Sequence, residues 1–337
     1  RRTVRTLAPG ESITLSRDLL ADLLPGTGSV AVSAMPSSTI DVPALLAALD
    51  RYPYGCTEQI TSRALPLLYY NDLAPLAGRA TDPEADQRIR DAIVRIMARQ
   101  GSDGSFGLWS AGGTDTWLDA YVVDFLSRAK EKGFAVPEVA FSLALDRLRN
   151  VVNLAGADMR AETENLAYAL YVLARNGRAP LGDLRYLADT RLKDLGTPLA
   201  KGQVGAALAL LGDRTRAERA FNVAIEGLPA NPGAPVAGRP DFGSVLRDAA
   251  ALTVLAREAG LEKLADVALA RVDAARVRTE RTSTQENAWL LLAARSLAAS
   301  AANMGLEVDG GLVRGPFGRK LSRADLERGP VTLRNAG

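Results

Sequence analysis

Tyr52-Pro53-Tyr54-Gly55-Cys56-Thr57-Glu58-Gln59 holds the one cysteine in a chain of 337 residues. Pro53 and Gly55 resist helix, while the apolar spacing that follows, Ile60, Ala64, Leu65, Leu67 and Leu68, is that of a helical face. The pattern predicts a tight aromatic bend that delivers Cys56 to the first turn of a helix. Residues three apart on a turn share a face, so the Cys56 sulfur and the Gln59 carboxamide come within reach. A thiol held against a side-chain amide can expel ammonia and close an internal thioester. The helix N-terminus is expected to favour the thiolate and to supply amide donors for the oxyanion formed on attack. The same residues also fit a lone buried cysteine beside a helix cap.

Outward from this bend the sequence is helical. Residues 42–49 read as a short helix with Pro43 in its first turn, and a helix runs from the bend to about Leu73. Blocks of helical period recur at 86–99, 115–130, 137–150, 161–176, 181–195, 201–211, 214–225, 244–259, 261–275 and 285–302. Alternate blocks look alike: Trp117-Leu118-Asp119-Ala120-Tyr121-Val122, Asn165-Leu166-Ala167-Tyr168-Ala169-Leu170 and Asn287-Ala288-Trp289-Leu290-Leu291-Leu292. The segments around Gln203 to Leu211 and Asp248 to Leu255 are weaker copies, and the spacing along the series, roughly 37 to 47 residues, is the length of one helical hairpin. A hairpin cannot bury its apolar face alone, so the copies must stack, either as an open solenoid or as a closed ring. The two ends differ. Residues 3–7 and 11–15 alternate around Pro9-Gly10, 29–33 alternate again, and 16–23 fit a helical turn. Residues 306–309 and 331–333 read as strands around the turn Gly310-Gly311. Such strands are too few to stand alone and need partners from elsewhere. Strands at both ends of a helical domain point to its insertion in a β-domain, with boundaries at 1–35, 36–304 and 305–337.

Composition narrows the chemistry. Hydrophobic residues make up 47% and aromatics only 5%, a balance that suits packed helices. Net charge is +2 with both signs interspersed, so nothing points to nucleic acid. No run approaches the roughly 20 apolar residues that span a bilayer. The start at Arg1 is expected of a piece of something longer. One cysteine permits no intrachain disulfide, and the absence of histidine excludes a Ser-His-Asp or Cys-His hydrolase within this chain and deprives a zinc site of its usual ligands. No cofactor or metal is expected. Three other features have local readings. Gln100 to Trp109 form an Asp-Gly turn in which Phe106 and Trp109 plug the space between hairpins. Thr284 is the expected N-cap of the last long helix. Asp115, Asp119, Glu162 and Glu164 could pair as glycosidase carboxylates, although acids at helix starts also serve the dipole.

The string Pro53 to Gln59 resembles the Pro-Tyr-Gly-Cys-x-Glu-Gln thioester motif of the α2-macroglobulin and complement superfamily, and the longer Tyr52-to-Gln59 string is similar to the bacterial α2-macroglobulins in particular. Thr284-Gln285-Glu286-Asn287-Ala288-Trp289 resembles a second segment of those proteins. The resemblance implies a mainly α fold: an α/α toroid of six helical hairpins, flanked at both ends by β-strand segments of a CUB-type domain. It implies Cys56 and Gln59 as the two ends of the thioester, with Glu58, Gly55, Tyr54 and Tyr52 in support. It implies a covalent trap rather than an enzyme, used once: a proteinase cuts a bait region elsewhere, and its lysine amine takes the acyl group of Gln59. Relatives that favour hydroxyl targets use a histidine, which this chain lacks, so direct attack by amines is expected. A periplasmic protein is implied too, often tethered by a lipid outside this chain and often paired with a penicillin-binding protein. The rival readings are a toroid glycoside hydrolase or cyclase and a helical scaffold that binds a protein partner without covalent chemistry.

Overall fold

The computed structural model describes residues 3–24, 27–37, 39–51, 55–155, 163–229, 239–277, 279 and 281–337. In chain order the helices are α1 (Val42–Arg51), α2 (Thr57–Leu67), α3 (Tyr70–Leu73), α4 (Ala85–Met97), α5 (Thr116–Glu131), α6 (Glu138–Ala155), α7 (Thr163–Arg175), α8 (Leu181–Tyr186), α9 (Pro198–Leu210), α10 (Arg214–Glu226), α11 (Val245–Glu258), α12 (Glu262–Arg276), α13 (Thr284–Ser300) and α14 (Arg323–Arg328). The strands are β1 (Ser12–Leu15), β2 (Ser29–Ala34), β3 (Gly305–Val308), β4 (Gly311–Arg314), β5 (Phe317–Ser322) and β6 (Val331–Asn335). Two compact units divide the chain: Tyr52–Leu68 with Glu84–Leu292, and Arg1–Arg51 with Tyr69–Pro83 and Ala293–Gly337.

The first of these units is a ring of helices. In the series α2, α5, α7, α9, α11, each member packs on the next. The head of α13 closes the series. Ser244, capping α11, donates to Glu286 at 2.6 Å, while Thr284 and Gln285 donate to Glu58 of α2 at 3.0 and 2.9 Å. Hairpin partners pack beside this series: α4 on α2, α6 on α5 and α7, α10 on α9, α12 on α11. The sequence distinguishes the two layers. Inner helices are enclosed on all sides, so every residue from Thr116 to Ala129 in α5 and from Leu246 to Ala256 in α11 is buried. Outer helices bury only a stripe at helical spacing, such as Ile89, Ala92, Ile93 and Ile96 in α4, or Ala265, Ala268, Val272 and Ala275 in α12. Full enclosure forces the inner polar residues to find partners. Arg128 donates to Asp124 at 2.9 Å, Glu258 at 2.8 Å and Tyr171 at 2.9 Å, and Tyr168 donates to Asp124 at 3.0 Å. Buried charges persist only when paired in this way, and the network ties α5, α7 and α11 together.

In the second unit the two ends of the chain supply each other's missing partners. One antiparallel sheet runs β1-β6-β3-β4, and a two-stranded sheet pairs β2 with β5. Leu15, Leu20, Leu306, Leu321, Leu326, Val331 and Leu333 form a shared core. Residues 3–7 are not the strand that alternation predicts. The partner of β1 is β6, with Leu15 opposite Val331, and the Gly10 N–H and the Leu7 carbonyl bond Asn335 at 2.9 and 2.8 Å. The C-terminal strand thus occupies the place a local hairpin would have taken. Asp309 and Gly310, both at positive φ, turn β3 directly into β4, and β5 and α14, unread in the sequence, complete the unit.

Candidate functional site

Cys56 stands at the N-cap of α2, with extended backbone at φ −67° and ψ 164°. The donors of this helix start can be followed one by one. The Thr57 N–H goes to the Leu108 carbonyl at 2.9 Å, and the Ile60 N–H to the Cys56 carbonyl at 2.9 Å. The Glu58 and Gln59 N–H groups face the Cys56 sulfur. In return the Gln59 side chain folds back, and its Oε1 accepts from the Cys56 N–H at 3.3 Å. Cysteine and glutamine therefore cap one another, the arrangement of a capping box with sulfur in place of a hydroxyl. The predicted pair is together, and the carboxamide lies over the same turn as the thiol.

The segment around it is held by Arg99, just beyond the end of α4. Its guanidinium donates to the Gly55 carbonyl at 2.7 Å, the Leu108 carbonyl at 3.0 Å and the Thr57 hydroxyl at 3.1 Å. Thr57 in turn donates to the Gly107 carbonyl at 2.5 Å. A β-carbon on Gly55 would stand 2.7 Å from Arg95 Nη2. Glu58 is only 5% exposed, and its Oε1 accepts from Ser62 at 2.7 Å, Gln285 at 2.9 Å and Thr284 at 3.0 Å. Ser62 also meets the Tyr121 hydroxyl at 2.9 Å. Glu58 is thus a bolt between α2 and α13. Arg99, Ser62 and Tyr121 were not legible as site residues, because only tertiary packing brings them to the motif.

Electrostatics overturn one expectation. Burial pushes the Cys56 thiol above its ordinary value and the Glu58 carboxyl adds to the rise, against the opposing pull of the Gln59 and Glu58 N–H groups and Arg99. Desolvation outweighs the helix N-terminus, and the thiol rather than the thiolate is favoured. Other expectations also move. Thr284 is not the cap of α13; its hydroxyl is committed to Glu58, and Ser283 caps instead, accepting from the Glu286 N–H at 3.2 Å while its own N–H bonds the Glu286 carboxylate at 2.7 Å. Phe106 is fully buried, but Trp109 is 64% exposed and plugs nothing. Among the described residues the candidate carboxylates have local structural partners: Asp115 caps α5, Asp119 is buried on the Phe106 N–H at 2.6 Å, and Glu164 accepts from the Gly196 N–H at 2.9 Å. Burial raises Asp119 to about 7. Tyr52, Tyr54 and Glu162 lie outside the described residues. Among the described residues no helix is long and apolar enough to cross a membrane.

A family model described as the A-macroglobulin TED domain matches residues 28–148. An alpha-2-macroglobulin of Escherichia coli strain K12 is 34% identical over 307 residues, covering 86% of this chain and 18% of the relative. The chain therefore spans less than a fifth of that relative's length. Of solved structures, Salmonella alpha-2-macroglobulin reacted with methylamine matches with a TM-score of 0.80 at 30% identity, over 99% of this chain and 22% of that one. Escherichia coli alpha-2-macroglobulin activated by porcine elastase matches with a TM-score of 0.67 at 30% identity, over 98% and 31%.

Proposed function

Since this chain belongs to the alpha-2-macroglobulin family, we propose that it is the reactive segment of a covalent proteinase trap, armed by a thioester between Cys56 and Gln59. The reciprocal capping of the two side chains carries this reading. Closure adds the thiol to the Gln59 carboxamide carbon; the nitrogen leaves as ammonia, taking the thiol proton, and a sulfur–acyl bond remains. In the trapping step a lysine amine of the proteinase adds to that carbon, the carbon–sulfur bond breaks, and the proton lost by the amine ends on Cys56. The proteinase is left joined through an amide, and the device has worked once. Burial suits storage as well. A thiol raised by desolvation is a poorer leaving group, so the enclosed thioester resists water until rearrangement exposes it.

The methylamine-reacted and elastase-activated relatives support amines and proteinases as the partners. The same reading puts the whole protein in the periplasm, lipid-tethered outside this chain and beside a penicillin-binding protein; cell fractionation that leaves it in the cytoplasm would remove that part. The deciding experiment is intact mass. The complete native polypeptide, gently purified, is expected to be lighter than its sequence by one ammonia, and methylamine should then add its own mass and free one thiol. Cys56→Ala should abolish both changes. An unmodified thiol and carboxamide in the wild type would sink the trap.

A further inference from the structure

At the head of α2 the Thr57 N–H is taken by Leu108, the next two N–H groups serve the sulfur, Ile60 bonds Cys56, and one backbone N–H of this turn bonds the Gln59 side-chain oxygen at 3.3 Å. That donor is the Cys56 N–H. It belongs to the same peptide unit as the Gly55 carbonyl, on which Arg99 Nη2 rests at 2.7 Å. Arg99 is itself fixed from both sides. Its carbonyl accepts from the Gly107 and Gly112 N–H groups at 3.1 Å each, while its guanidinium fork grips Leu108 and Thr57.

We propose that Arg99 is a positioning residue for acyl transfer: it orients and polarises the Gly55–Cys56 peptide so that its N–H stabilises the oxygen on which negative charge builds. The proposal rests on the thioester reading. When the Cys56 sulfur adds to the Gln59 carbon, or later when an amine adds to the thioester, the carbonyl electron pair moves onto Oε1. It returns as ammonia or the sulfur departs. A donor at 3.3 Å in the resting state tightens as that charge develops. A cation on the carbonyl of a peptide draws electrons through it and makes its N–H a stronger donor. Thus Arg99 acts on the reaction without touching a reacting atom. If it were only a staple, it would hold the 107–112 loop against α2 and leave the chemistry alone.

The two roles separate in the complete native polypeptide carrying Arg99→Gln or Arg99→Lys, with methylamine as the probe. The rate constant is read as thiol released per closed thioester, so molecules that never closed do not enter it, and thermal midpoints are recorded alongside. Arg99→Gln is expected to open about tenfold more slowly, less than the hundredfold or more lost with a direct oxyanion donor, and Arg99→Lys should recover part of the loss. Arg99→Gln that folds yet closes no thioester also supports the role, since closure builds the same oxyanion. Should Arg99→Gln fail to fold, Arg99→Lys decides: an ammonium meets fewer acceptors than the fork, so a severalfold drop supports the proposal and an unchanged rate overturns it. Equal rates in wild type and Arg99→Gln overturn the role of Arg99 alone. A wild type without any thioester overturns this role and the function above together.

Discussion

Replacing Glu58 tests whether its carboxyl is structural or chemical. Its Oε1 collects three donors, the buried Ser62 and Gln285 and the half-buried Thr284. Glu58→Ala removes that acceptor. Ser62 retains Tyr121 at 2.9 Å, and Gln285 retains Ser62 at 2.9 Å, so those two donors are only partly stranded. Thr284 loses the bond that holds it to α2. At about 1–3 kcal/mol for each stranded donor, scaled for those survivors and joined by the space the side chain vacates, the loss comes to roughly 3–5 kcal/mol. Glu58→Gln keeps an oxygen for all three donors and should cost about 1 kcal/mol or less. Urea unfolding measures both numbers, and methylamine opening of the closed thioester, followed by thiol release, measures the chemistry. The structure predicts a Glu58→Gln protein that opens within about twofold of wild type, because the carboxyl serves the seam and not the oxyanion. A Glu58→Gln protein of wild-type stability that opens more than about tenfold more slowly would refute this, as would a Glu58→Ala loss below about 1 kcal/mol.

Two further outcomes follow from the turn that holds Thr57. Asp119 rises from its ordinary 3.8 to about 7; the folded state therefore binds a proton that the unfolded state has released, and stability falls as pH climbs from about 4 to about 7, by at most roughly 4 kcal/mol at about 1.4 kcal/mol per pH unit. Asp119→Asn should flatten that slope between pH 4.5 and 8 in urea titrations; parallel curves would mean that Arg147, 3.5 Å from the carboxyl, cancels the burial. Gly107→Ala should drive a β-carbon into the Ser110 and Gly112 carbonyls, disturb the loop whose carbonyls hold Thr57 and Arg99, and lower both the thermal midpoint and the fraction of closed thioester; a variant matching wild type in both would show that the loop yields freely.

The stacking of helical hairpins was legible because the inner helices share one environment. Trp117 to Val122, Asn165 to Leu170 and Asn287 to Leu292 look alike since each lies in the largely buried stretch of an inner helix. Their periodicity could not show closure, which depends on bonds between residues more than 220 positions apart, such as Thr284 and Glu58. The strand ends were half legible. Alternation marks β1, β2, β3 and β6, but pairing over some 300 residues is set by partner geometry and not by local pattern, so residues 3–7 alternate like a strand while the place beside β1 goes to β6. At the motif, spacing alone brought Cys56 and Gln59 together, because adjacent turns of a helix are local. The thiol's acidity is not legible from the motif, because burial, which outweighs the pull of a helix N-terminus, belongs to the tertiary structure.

The seam of the ring and the candidate reactive turn are one place. Helix α13 returns to α2 through Glu58, two residues from Cys56 and one from Gln59, and the opposite side of that same turn is gripped by Arg99 and the 107–108 carbonyls. The helix start is therefore fixed by three segments distant in sequence before its two reacting groups are considered. A capping box on an isolated peptide would hold cysteine and glutamine together only as firmly as a fraying first turn allows. Here the turn cannot fray without breaking the Thr57–Leu108 bond, the Arg99 fork and the Glu58 bolt. That enclosure is the physical basis for a thiol and a carboxamide kept in register, and it is why variants at Glu58 and Arg99 must be read by stability and by acyl transfer together: the Glu58 contacts close the ring, while the Arg99 contacts are the ones proposed to aim the chemistry.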